Sequence, residues 1–155
     1  MGKGLLGNNV ITQVGIVVRD IEKSSREFAE FFGIPIPAWV QTDTVDKAQT
    51  RFRGAPTPGR AKLAFMHFGS IDIELIEPDT HPSTWREHLD TRGEGVHHLA
   101  FVIEGMADRV RELEAHGHPL QQKGEYTGGR YAYVDTSKTL KTIVELLEND
   151  RKGKD

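Results

Sequence analysis

The sequence predicts an α+β fold in which two β-α-β-β-β modules form one curved mixed sheet. Two observations carry this. Each half of the chain shows the same order of period-2 and period-3.6 apolar patterns, and the halves align residue by residue. Gln13-Val-Gly-Ile-Val-Val lies over His98-Leu-Ala-Phe-Val-Ile, and Ile73-Glu-Leu-Ile-Glu over Val144-Glu-Leu-Leu-Glu. A repeat present only twice is a duplication and not a solenoid.

In the first half, residues 11–18 read as a buried strand. Asp20 is a good N-cap, after which Ile21, Ser25, Phe28 and Phe32 share a helical face. Gly33 and Pro35 stop that helix. A strand is expected near 38–42, then an aperiodic stretch over 43–60, then a hairpin of strands 61–68 and 71–77 turning at Gly69-Ser70. In the second half, 96–103 reads as a strand, and Met106, Val110 and Leu113 form a helical stripe closed by Gly117 and Pro119. Strands are expected over 120–125, 130–135 and 141–148, with Gly128-Gly129 as a turn. The helix-ending glycine follows Gln13 by 20 residues and His98 by 19. Glu74 follows Gln13 by 61 residues and Glu145 follows His98 by 47; the difference is roughly the aperiodic stretch. One domain over 11–148 results, with module one at 11–78, a linker at 79–93 and module two at 94–148.

Strand alternation separates two faces. Val14, Ile16 and Val18 share one, as do Leu99, Phe101 and Ile103, and these should pack under the helices. Gln13, Glu74, His98 and Glu145 then point to the other face. Two glutamates amid apolar strands are costly unless paired or metal-bound. By the same alternation His97 faces the helix layer as a structural residue. Gln13 has two readings, a ligand through its amide oxygen or a hydrogen-bonding residue.

Composition limits the function classes. The chain of 155 residues is 37% apolar and 28% charged, enough for an ordinary core, and its formal net charge of −3 gives no pull toward nucleic acid or an anionic membrane. No apolar run reaches the length of a membrane span, and residues 1–9 lack the pattern of a secretory signal, so a cytoplasmic address is expected. The absence of cysteine excludes thiolate sites and leaves His, Asp, Glu and amide oxygens as ligands. Segment 47–62 carries Lys47, Arg51, Arg53, Arg60 and Lys62 and no acid. It is either a solvated loop or a receptor for phosphates. Tyr126, Tyr131 and Tyr133 either pack in strands or line a pocket.

These residues resemble the vicinal oxygen chelate superfamily over 11–148. That group includes glyoxalase I, methylmalonyl-CoA epimerase, extradiol dioxygenases and antibiotic-resistance binding proteins. The resemblance implies metal ligation by Gln13, Glu74, His98 and Glu145, a set of one nitrogen and three oxygens that suits Co²⁺, Ni²⁺, Mn²⁺ or Zn²⁺. Glu74 and Glu145, which the repeat relates, are also expected to serve as the two bases, a metal-bound glutamate detaching to accept the proton as is proposed for glyoxalase I. Val14-Gly-Ile-Val-Val-Arg-Asp-Ile-Glu-Lys, Glu74-Leu-Ile-Glu-Pro78 and Gly95-Val-His-His-Leu-Ala-Phe101 are most similar to the epimerases. The resemblance therefore implies a metal-dependent epimerase acting alpha to a thioester carbonyl. Arg51, Arg53 and Arg60 would hold the phosphates of an acyl-CoA, and no organic cofactor is implied. A homodimer is expected, as is common in the superfamily.

The ligand set itself is similar to that of glyoxalase I, which leaves a glyoxalase I-type lyase on another small carbonyl as an alternative. Val17 and Pro78 stand where glyoxalase I has the Arg and Asn that would hold glutathione. Thr57-Pro-Gly-Arg60 lacks the acid that epimerases commonly carry before the third strand. That departure leaves open a third reading, a non-catalytic binding protein of the same superfamily.

Overall fold

The computed structural model describes residues 4–152. Its strands are β1 (Gln13–Val17), β2 (Trp39–Gln41), β3 (Arg51–Phe52), β4 (Ala55–Pro56), β5 (Ala61–Phe68), β6 (Ile71–Pro78), β7 (Gly95–Val102), β8 (Leu120–Tyr126), β9 (Gly129–Val134) and β10 (Ile143–Asn149). The helices are α1 (Ile21–Phe32), α2 (Val45–Ala48), α3 (Thr84–Arg92), α4 (Met106–Ala115) and α5 (Ser137–Leu140). The strands form one mixed sheet in the order β2-β5-β6-β1-β7-β10-β9-β8-β3-β4, curled into a half-barrel. At its centre β1 runs antiparallel to β7, while β6 is parallel to β1 and β10 parallel to β7. The duplication is therefore written into the pairing, with an approximate twofold axis between β1 and β7.

Local chemistry starts and stops α1 where expected. The Asp20 carboxylate accepts from the Lys23 amide at 2.9 Å, and Gly33 closes α1 in the left-handed region at φ 64°. A side chain at Gly33 would strain that turn. Ile21, Ser25 and Ala29 are the buried face of α1. Phe32 stays half-exposed, its ring edge-on to Phe68 with centroids 4.9 Å apart.

Two apolar layers lie outside the sheet. Under α1, Ile21 packs with Val18, Ala64, Met66 and Leu75, flanked by Ile16 and Phe28. Under α4, Met106 and Leu113 pack with Ile103, Ala132, Val134, Val144 and Leu146. A third cluster sits inside the curve, where Trp85 and Leu89 of α3 meet Val17, Ala61, Ile76 and Tyr133. The stretch 79–93, read as a linker, thus contains a helix that plugs one end of the concave face. It was obscured in the sequence because its apolar stripe is only Trp85 and Leu89 among charged residues.

The aperiodic stretch 43–60 is structured too. It crosses to the second module, where β3 pairs with β8 and carries β4 as the sheet's last strand. Pieces of two residues are too short to show a period, so no pattern announced them. Another departure is a bulge between β1 and β7. Gly15 is opposite His98 but Ile16 is opposite Val96, leaving His97 as the extra residue. A bulge breaks strict alternation. His97 therefore joins His98 on the concave side, against α3 rather than the outer helix layer.

Candidate metal centre

The four polar side chains singled out by the repeat come from β1, β6, β7 and β10 and meet on the concave face. Strand register explains the meeting. Gly15 lies between Glu74 on one neighbour and His98 on the other. Ala100 lies between Gln13 and Glu145. Gly15 and Ala100 correspond under the repeat, so each module supplies one small residue beneath the other module's first polar residue. The His98 ring occupies the space above Gly15, where an added Cβ would lie 2.6 Å from His98 Nε2. Only glycine leaves room for that imidazole.

All four residues are buried. His98 Nε2 lies 2.9 Å from Glu145 Oε2 and 3.4 Å from Glu74 Oε2, and 3.1 Å from Gln13 Oε1. Four lone-pair-bearing atoms thus face one centre. Ligand atoms on a cation with bonds of about 2.0–2.2 Å are spaced by roughly 3 Å. Mutual repulsion makes such a cluster unfavourable unless positive charge sits within it. A turned Gln13 amide offers another solution, donating to both Glu74 Oε2 and Glu145 Oε2 at 3.1 Å. Glu74, His98 and Glu145 form the group of buried potential ligands in the described residues, and Gln13 completes a set of one nitrogen and three oxygens. These residues fit a hard or borderline divalent cation.

Burial, then the Glu145 carboxylate, pushes the Glu74 carboxyl up to about 8, with His98 opposing. Burial disfavours the charged His98 ring, but the Glu145 and Glu74 carboxylates outweigh it and raise its pKa. Without a cation, the folded protein therefore holds protons that the unfolded chain releases at lower pH. The stability they confer is present at acidic pH and falls as pH rises from the ordinary Glu value of 4.5 toward about 8. Thermal melts of chelator-treated protein should show a declining Tm across that interval; a rising or flat profile would contradict the assignment. Cation binding must displace these protons, so affinity should increase with pH over the same range.

A cavity of about 390 Å³ opens above the cluster, with Gln13, Glu74 and Glu145 in its lining. Its walls are apolar and aromatic: Leu63, Phe65, Trp85 and Leu147, with Tyr126, Tyr131 and Tyr133. The Trp85 indole donates to the Tyr133 hydroxyl at 3.0 Å, and the Gln122 amide donates to the Tyr131 hydroxyl at 3.1 Å. Burial raises both phenol pKa values, which keeps them protonated. Asp43 and Glu125 are exposed residues that also line this cavity. The sequence does not single out either, since Asp43 follows β2 in the aperiodic stretch and Glu125 lies outside the segments of the two halves that align.

The structure does not bring Arg51, Arg53 and Arg60 into this cavity. Arg53 is paired with Glu87 at 2.6 Å, and Arg60 Nε donates to the Thr42 carbonyl at 2.8 Å. Arg51 lines a second cavity of about 430 Å³ with Arg111, Lys123 and Arg130, and that cavity shares Glu125 and Tyr131 with the first.

Residues 12–134 match the glyoxalase/bleomycin resistance protein/dioxygenase superfamily, and the chain belongs to it. It is 25% identical over 143 residues to the uncharacterized protein YqjC of Bacillus subtilis (strain 168), covering 90% of this chain and 92% of that protein. Among solved structures, a hypothetical protein of Bacillus halodurans C-125 has a TM-score of 0.62 at 18% identity, covering 94% of this chain and 97% of that one. Methylmalonyl-CoA epimerase from Mycobacterium tuberculosis has a TM-score of 0.61 at 20% identity, with 97% and 93% covered. A variant of the Streptomyces coelicolor methylmalonyl-CoA epimerase, in complex with 2-nitronate-propionyl-CoA, has a TM-score of 0.61 at 16% identity, with 92% and 99% covered. At these identities the structural likeness establishes the shared fold. Among the described residues no helix is long and apolar enough to cross a membrane.

Proposed function

We propose that this protein is a metal-dependent epimerase that moves a proton on the carbon alpha to a thioester carbonyl. The observation that carries the reading is the placement of Glu74 and Glu145. They are equivalent residues of the two modules, they sit on the floor of one cavity, and both approach His98 Nε2. Epimerisation removes a proton from one face of a carbon and returns one to the other, which two carboxylates related by an approximate twofold axis are placed to do. A bound divalent cation would polarise the carbonyl and stabilise enolate charge. Gln13, Glu74, His98 and Glu145 would hold it, and a glutamate would have to leave the cation before acting as a base. The apolar and aromatic walls exclude water from the acidic carbon and accept a short acyl group.

Deuterium exchange into methylmalonyl-CoA in D₂O tests this reading. The metal-loaded protein should exchange the alpha proton and interconvert the two epimers. Metal-loaded protein that binds the thioester without exchanging its proton is a binding protein instead. The aromatic cavity also favours a second reading, a lyase or isomerase on a smaller carbonyl compound. Val17 and Pro78 stand where glyoxalase I has its Arg and Asn, which argues against glutathione in that role.

The phosphates of an acyl-CoA would lie outside the first cavity, since no Lys or Arg lines it. Arg51 and Lys123 are directly opposed on β3 and β8 and line the second cavity together. Like charges placed so are unfavourable, and an anion between them would relieve the repulsion. Arg51→Ala combined with Lys123→Ala should raise KM for the acyl-CoA and flatten its dependence on salt, with kcat retained. An unchanged KM would remove both residues from the substrate site. Arg53→Ala is the control, because its guanidinium is already held by Glu87.

A further inference from the structure

The bulge in β7 places two imidazoles side by side beneath the cavity, and their hydrogen bonds form a chain leading away from the cluster. His97 and His98 are 1% and 0% exposed. Their Nδ1 atoms are 2.9 Å apart. His97 Nε2 is 3.1 Å from Thr84 Oγ1, and that hydroxyl donates to Gln121 Oε1 at 2.8 Å. Thr84 is held in turn, its amide donating to Gln122 Oε1 at 2.8 Å.

The chain runs in one direction. His98 Nε2 faces Gln13, Glu74 and Glu145, so a neutral His98 that offers a lone pair there must carry its proton on Nδ1. That proton points at His97 Nδ1, which must then be the acceptor. A neutral His97 accepting at Nδ1 carries its own proton on Nε2, where the Thr84 oxygen receives it. The Thr84 hydroxyl hydrogen is left free to go to Gln121. Every atom has one role, and none conflicts with the next. His97 is buried with its Nε2 against the Thr84 hydroxyl, which leaves Nδ1 as the acceptor. The His97 ring is fixed further by edge-on packing on Tyr133, with centroids 5.1 Å apart.

We propose that His97 is a positioning residue for the cation site: its Nδ1 accepts the His98 Nδ1 proton, fixing the tautomer that turns the Nε2 lone pair toward Gln13, Glu74 and Glu145. The inference rests on the reading that those four residues hold a cation. It assigns work to a residue expected to be structural. It also gives α3 a role in the site, since Thr84 at the start of that helix fixes the far side of His97. Partners behind a ligating histidine set its orientation and basicity, and their loss typically costs about 10–100-fold in metal affinity.

The test uses Zn²⁺ affinity, by competition with a chromophoric chelator, and ring ¹⁵N shifts of His98 in the Zn²⁺-loaded protein. His97→Phe keeps a ring against Tyr133 but removes the acceptor, and should lose about 10–100-fold in affinity. His97→Gln, whose amide oxygen can accept the His98 proton, should recover most of that loss. In wild type, the ¹⁵N shifts should show a proton on Nδ1 and zinc on Nε2. Should His97→Phe fail to fold, Thr84→Val and Thr84→Ser serve the same purpose: Val should weaken binding and Ser should retain it. A folded His97→Phe with wild-type affinity and an unchanged His98 tautomer overturns the role of His97 alone. The same holds if Thr84→Val and Thr84→Ser bind equally well. Wild-type protein that takes up no Zn²⁺ overturns the cation reading, and this inference with it.

Discussion

Glu74→Gln and Glu145→Gln should each retain a bound divalent cation and lower alpha-proton exchange by at least about 10²-fold, the usual scale of general-base catalysis. The amide is nearly isosteric with the carboxylate and keeps an oxygen that can ligate, but it accepts no proton at neutral pH. Alanine at either position would mix loss of the cation with loss of the base. Because the two glutamates belong to different modules, the variants should not be equivalent. Each should spare exchange from one epimer more than from the other, and neither should interconvert the epimers at the wild-type rate. Proton exchange followed separately from each epimer of methylmalonyl-CoA, with cation occupancy measured on the same samples, reads both expectations. If both variants hold the cation and epimerise normally, the bases lie elsewhere. Asp43 and Glu125, which line the same cavity, would then be the residues to change.

Gly15→Ala should damage the site as severely as a ligand substitution, although glycine offers no ligand. The new Cβ would lie 2.6 Å from His98 Nε2 and closer still to other ring atoms. That ring is fully buried, with Tyr133 and His97 packed against it. It has no space to retreat without moving β7 or breaking its bond to His97. Overpacking of this kind costs about 1–3 kcal/mol, equivalent to a Tm lower by several degrees for a chain of this size. The larger expected effect is on cation affinity, because Nε2 would be displaced from the other three donor atoms. A loss of about 10–100-fold or more is expected, read by chelator competition beside a thermal melt. Gly33→Ala is the comparison. It strains a left-handed helix end, but an added Cβ there meets nothing within 4 Å, so it should lower Tm and leave affinity unchanged. Equal cation affinity in Gly15→Ala and wild type would mean that the His98 ring does not work where the structure puts it.

Much of the fold was legible because duplication doubles each signal. Gln13 alone says nothing and His98 alone little, but Gln13 over His98 and Glu74 over Glu145 define four positions on one face of two similar halves of a sheet. Strand alternation then sends all four inward, which is where the structure has them. Features outside the repeat were hidden. The bulge that turns His97 inward is a register shift between β1 and β7, a property of pairing that no single strand's pattern displays. The two-residue strands β3 and β4 acquire order from β8, a partner remote in sequence. For the same reason, the basic residues near them could not be assigned from the sequence to either cavity. Helix α3 is nearly all polar apart from Trp85 and Leu89, the two side chains that join the apolar cluster inside the curve. Asp43 and Glu125 reach the cavity from opposite modules at positions with no shared register, so nothing in the alignment of the halves connects them.

Gln13, Glu74, His98 and Glu145 together are proposed to hold one divalent cation. Chelator-stripped protein titrated with Co²⁺, Ni²⁺, Mn²⁺ or Zn²⁺ against a chromophoric competitor tests it most directly, with His98→Ala titrated alongside. One cation per wild-type chain is expected, bound more tightly as pH rises from 6 to 8, and His98→Ala should lose the most affinity because it lacks the one nitrogen donor. Wild-type protein that binds none of these ions, or a His98→Ala variant that binds them as wild type does, would contradict it.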